Sequence, residues 1–63
     1  MCLSSAYERT NGVDKLICEK ITQVDVEDKA VRLTDLLGKQ TLVSGFIKSI
    51  DLNKNAIYIV PAS

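Results

Sequence analysis

Residues 23–36 read QVDVEDKAVRLTDL. Val24 and Val26 fall on one side of an extended chain, with Gln23, Asp25 and Glu27 on the other. After EDK at 27–29 the alternation resumes, with Val31 and Leu33 set against Arg32 and Thr34. A period of two, not 3.6, is the signature of half-buried strands. The polar interruption between the two runs is short enough to close a hairpin.

The same reading extends outward in both directions. IKSIDL at 47–52 and AIYIVP at 56–61 are short apolar runs rich in Ile, Val and Tyr, residues that pack well on a pleated surface. TNG at 10–12 signals a hairpin, because Asn and Gly both accept positive φ. LGK at 37–39 and NKN at 53–55 supply further turns, and Pro61 lacks the N–H needed to continue a ladder. Strands are expected near 2–9, 14–20, 22–27, 30–35, 40–51 and 56–60, with a short helical turn around 35–38. The 40–51 stretch is long for one strand and contains Gly45, so it is expected to bend and serve two sheets. Many short strands with turns every 8–12 residues imply an all-β fold, here a small, partly open SH3-like barrel of about six short strands. Residues 1–63 make a single domain. Its size leaves roughly 40% of the unfolded chain's surface exposed, so it benefits from a partner or a metal.

Composition removes several function classes. Eight basic and eight acidic side chains cancel. No basic block offers the field on which phosphate-driven nucleic-acid binding depends. No run of 18 apolar residues is present, so no membrane-spanning helix is expected, and no secretory leader is visible. The expected compartment is the cytoplasm, where the two cysteines stay reduced. Histidine is absent, which removes the commonest general base and the commonest metal ligand. No catalytic constellation can be read, and the protein is expected not to be an enzyme. GKQT at 38–41 resembles the end of a phosphate-binding loop, but residue 33 is Leu where the motif needs Gly, so it reads as a turn. Asp25, Glu27, Asp28 and Asp35 read as a solvated face. Tyr7, Phe46 and Tyr58 read as completing a small core rather than as a base-stacking platform with Arg32 and Lys48.

The remaining chemistry sits in the cysteines. Cys18, in KLICEKI at 15–21, reads as a core or near-core thiol. Cys2 follows the first methionine. Removal of Met1 would set a free amine beside the thiolate. Two such ends, brought together by a two-fold axis, would offer a tetragonal N/S donor set suited to Ni(II) or Cu(II). The spacing of Cys2 and Cys18 fits no Cys-x-x-Cys metal motif.

Taken together, the Met-Cys start, VDVEDKAVRLTDLLG at 24–38 and GFIKSIDLNKNAIYIV at 45–60 resemble the CooT family. These are small nickel-binding accessory proteins of carbon monoxide dehydrogenase maturation, and some have been labelled predicted RNA-binding proteins. The resemblance implies a homodimer of small barrels that holds Ni(II) at its interface through Cys2 of each chain, with backbone nitrogens completing the coordination. It implies a metallochaperone or nickel store whose client is a metalloenzyme, carbon monoxide dehydrogenase. The alternatives are a small RNA-binding barrel, which the neutral charge opposes, and a protein-interaction barrel that binds through an exposed strand edge.

Overall fold

A computed structural model describes residues 3–62. It contains five strands: β1 (Ser4–Thr10), β2 (Val13–Glu27), β3 (Ala30–Asp35), β4 (Gln40–Asp51) and β5 (Ala56–Pro61). Each strand lies antiparallel to the next. β1 also pairs in parallel with β5, which closes the sheet into a barrel. The all-β class and the small-barrel form are as expected. Two details differ: there are five strands instead of about six, and the ring is closed where a partly open one was expected.

Each difference has a physical cause. Segments 14–20 and 22–27 are one bent strand, β2. Lys20 takes φ +59° at the bend, and the pairing slips on both sides of Ile21. The first half of β2 pairs with β1 and the second half with β3. A sequence pattern sees the phase break and reads a boundary; hydrogen bonding carries the strand through it as a bulge. Closure depends on Ser5, Ala6, Tyr7 and Glu8 lying beside Ala56, Ile57, Tyr58 and Ile59, the first and last strands of the chain. No local pattern encodes that contact.

The long fourth strand behaves as its glycine implies. Residues 40–44 pair with β3 and residues 45–51 with β5, so β4 changes partners at Gly45. A Cβ at this position would collide with the carbonyl oxygen of Val60, which explains why a residue without one stands there. The turns are those anticipated. Asn11 and Gly12 carry φ of +53° and +78° between β1 and β2, as a two-residue hairpin of primed type requires. Lys29 takes φ +62° in the β2–β3 turn and Asn55 +53° before β5. Residues 35–38 form a single turn, not a helix. The Gly38 N–H donates to the Asp35 carbonyl at 3.0 Å, and the Asp35 carboxylate accepts from the N–H groups of Leu37 and Lys39, each at 2.9 Å.

The interior is a narrow apolar column of Ala6, Ile21, Val31, Leu33, Ile57 and Ile59. Ile17, Cys18, Val24, Val43 and Ile47 pack against it, partly buried. Val31 and Leu33 are fully covered, as their alternation with Arg32 and Thr34 implies. Val26, on the same side of β2 as Val24, is nonetheless 71% exposed.

Candidate functional site

The aromatic residues do not complete the core. Tyr7 and Tyr58 stack on the outside of the barrel, ring centroids 5.7 Å apart and 24° between planes, and Phe46 is 48% exposed. Period two is again the reason. Ala6, Ile57 and Ile59 take the inward positions of β1 and β5, so Tyr7 and Tyr58 point out. Arg9 lies 4.3 Å from the centroid of Tyr58 and covers that ring. Its guanidinium also donates from Nε to Asp14 Oδ1 at 2.8 Å and from Nη2 to Oδ2 at 3.2 Å. The hydrogen bond from Arg9 holds the Asp14 carboxyl below its ordinary value, and Asp14 in turn raises the Arg9 guanidinium. This cation is thus neutralised by its neighbour and occupies the aromatic surface a nucleobase would need.

The acidic residues are partnered or solvated, as expected. Glu27 pairs with Arg32 at 2.7 Å, Gln23 donates to Asp25, and Asp35 caps its turn. The described strands close into a ring, in which each half of β2 and each half of β4 pairs on one side only.

Two features gather at one end. The first is where the chain enters β1. Ser4 lies beside Ile21, which in turn lies beside Asp35, and the Ser5 N–H donates to the Asn55 carbonyl at 2.9 Å. Cys2, the expected metal ligand, falls outside the described residues, as does any pairing of it with Cys18. The second is a pocket of ≈ 400 Å³ between the β2 bend and the β3–β4 turn. The Leu36 N–H donates to the Lys20 carbonyl at 2.8 Å and pins the turn to the bend. Ile17, Cys18, Leu36 and Leu37 form its apolar lining, with Glu19, Lys20 and Lys39 among its charged groups. Cys18 is half-buried against the core, with Sγ 3.8 Å from the Glu19 carbonyl oxygen, and matches the near-core thiol read from the sequence. Neither the pocket nor its leucines were singled out in the sequence. The available signal was LL at 36–37, two apolar residues in a turn.

Among the described residues, no group of three or more His, Cys, Asp and Glu side chains converges to hold a metal ion. Among the described residues no helix is long and apolar enough to cross a membrane.

The model of the family described as CO dehydrogenase accessory protein CooT matches residues 1–60. This chain belongs to the CooT family. The match runs from the Met-Cys start to the last strand, and the family it defines is one of accessory proteins to carbon monoxide dehydrogenase. An uncharacterised protein of Methanothermobacter thermautotrophicus is 37% identical over 59 residues, which is 94% of this chain and 88% of that protein. A crystal structure provisionally assigned to CooT from Carboxydothermus hydrogenoformans superposes with a TM-score of 0.86. It covers 95% of this chain and 97% of its own, at 18% identity, a likeness of fold.

Proposed function

We propose that this CooT-family protein is a non-enzymatic carrier or store of Ni(II) for the maturation of carbon monoxide dehydrogenase. In this reading it works in the cytoplasm as a homodimer, and the cargo ion sits between two copies, bound by Cys2 of each. The family match over residues 1–60, which includes Cys2, carries the reading. Donor chemistry supports it. The described side chains offer no metal cluster of their own, and the chain has no histidine. In this reading the ion draws on the Cys2 thiolate and backbone nitrogen of each copy, a donor set that suits Ni(II) better than Mg or Ca.

The test is a titration of Ni(II) into protein purified without a histidine tag. The expected result is a sulfur-to-metal charge-transfer band that saturates at one ion per two chains. Uptake releases protons and strengthens with pH, because the thiol must ionise to ligate. If Cys2→Ser binds nickel as the parent does, the proposal fails.

A further inference from the structure

We infer that Asn11, at the tip of the β1–β2 hairpin, is a site of spontaneous covalent modification. The Gly12 nitrogen closes on the asparagine side chain and converts it to an aspartyl or iso-aspartyl residue. The chain holds two other asparagines, Asn53 and Asn55, and the structure shields both.

The reaction needs an open, unencumbered backbone nitrogen next to the asparagine carboxamide. Asn11 and Gly12 are both exposed, and nothing lies within 4 Å of where a Cβ on Gly12 would stand. The β1–β2 ladder ends at the Thr10–Val13 pair, and among the described residues the Gly12 N–H donates to no backbone carbonyl. Glycine also brings no side chain to crowd the attack. The other two asparagines lack these conditions. After Asn53, the Lys54 N–H donates to Asp51 Oδ1 at 3.1 Å, and a carboxylate in that place opposes loss of the proton. After Asn55, Ala56 is 4% exposed and already part of β5, beside Asp51 of β4 and Ser5 of β1.

The deprotonated Gly12 nitrogen attacks the side-chain carbonyl carbon of Asn11. A C–N bond forms, the carboxamide C–N bond breaks, and ammonia leaves with the proton that the Gly12 nitrogen gave up. Water then opens the five-membered imide at one carbonyl or the other and returns a proton to nitrogen. One opening gives the aspartyl residue. The other gives the iso-aspartyl residue, whose main chain is longer by one carbon. Water is the sole co-reactant. Either product adds a negative charge to a chain whose formal charge is zero. That charge lies in the loop between Arg9 and Asp14, whose ion pair ties the two strands and whose arginine covers Tyr58. The iso-aspartyl product also no longer fits a two-residue primed turn.

The experiment stores the purified protein over weeks at neutral and at mildly alkaline pH. It reads released ammonia, acidic species by ion exchange, and the modified position by peptide mapping against synthetic aspartyl and iso-aspartyl peptides. Conversion at Asn11 is expected to run about 10-fold or more faster than at Asn53 or Asn55, a barrier difference of about 1.4 kcal/mol. It is expected to accelerate with pH, because the Gly12 nitrogen must lose its proton. Asn11→Gly keeps a residue that accepts positive φ, so it is expected to lose the main acidic species with an unchanged circular-dichroism spectrum. Asp51→Ala, which frees the Lys54 N–H, is expected to speed conversion at Asn53 several-fold and leave Asn11 as it was. Equal rates at the three asparagines, or acidic species that form without change at Asn11, overturn the inference. An Asn53 rate indifferent to Asp51→Ala overturns the assignment of its protection to that hydrogen bond.

Discussion

Two leucines, Leu33 and Leu37, stand four residues apart and meet opposite fates. Leu33 is fully buried in the barrel, while Leu37 is 90% exposed. Leu33 occupies an inward position of β3, where alternation with Arg32 and Thr34 sets its direction. Leu37 follows the end of that strand, in a turn where no period applies. The difference teaches that apolar residues here answer to two demands. Those in phase with a strand build the monomer. Those out of phase, in the turn, build a surface.

The largest effect should come from breaking the buried member. Leu33→Ala removes packing in a column only a few side chains wide and should cost about 2–5 kcal/mol. A core of this size rarely supplies more than about 3–5 kcal/mol, so the variant should be largely unfolded at room temperature, as circular dichroism in urea would show. Gly45→Ala should follow. Its Cβ would strike the Val60 carbonyl, where β4 changes partners, and the expected cost is about 1–3 kcal/mol. Thermal denaturation should report it as a fall of about 4–8 °C per kcal/mol.

The exposed member predicts the contrast. Leu52→Ser, at another apolar turn position 81% exposed, should stay within about 0.5 kcal/mol of the parent in denaturant. A large loss there would mean that turn leucines also hold the monomer together, and the division drawn above would fail. The smallest effect concerns Asp14. Arg9 lowers its folded pKa, so the pair adds stability above the unfolded value near 3.8, and this is lost as pH falls through the lower folded value. Asp14→Asn should therefore lower stability slightly at neutral pH, by a difference that vanishes as pH falls below about 4, so that the acid limb of the stability curve flattens. Both groups are exposed, which keeps the effect small.

Much of the fold was legible. β3, β4 and β5 lie within a residue of where alternation and turn residues placed them, and Gly45 announced the change of partners. β2 was read as two strands, because a bulge at Lys20 breaks the alternation without breaking the hydrogen bonding. The aromatics were read as core on residue type, but their place in the period sends Tyr7 and Tyr58 outside. Of the candidate site, Cys2 was legible as a type and a position, while the pocket beside Leu36 and Leu37 was not. A pocket joins residues from β2, a turn and β4, and no window of sequence contains all three.

By itself the sequence determined what is local: strands from a period of two, turns from Asn and Gly, near-neutral charge, a histidine-free chain and the cysteine that follows its first methionine. Tertiary structure alone decided closure by the parallel β1–β5 pair, the Arg9 cover on Tyr58, and the exposed leucines beside a pocket. The physical reason is range. Alternation and φ preference act between neighbours along the chain, whereas closure and pocket shape arise between residues that only folding brings together.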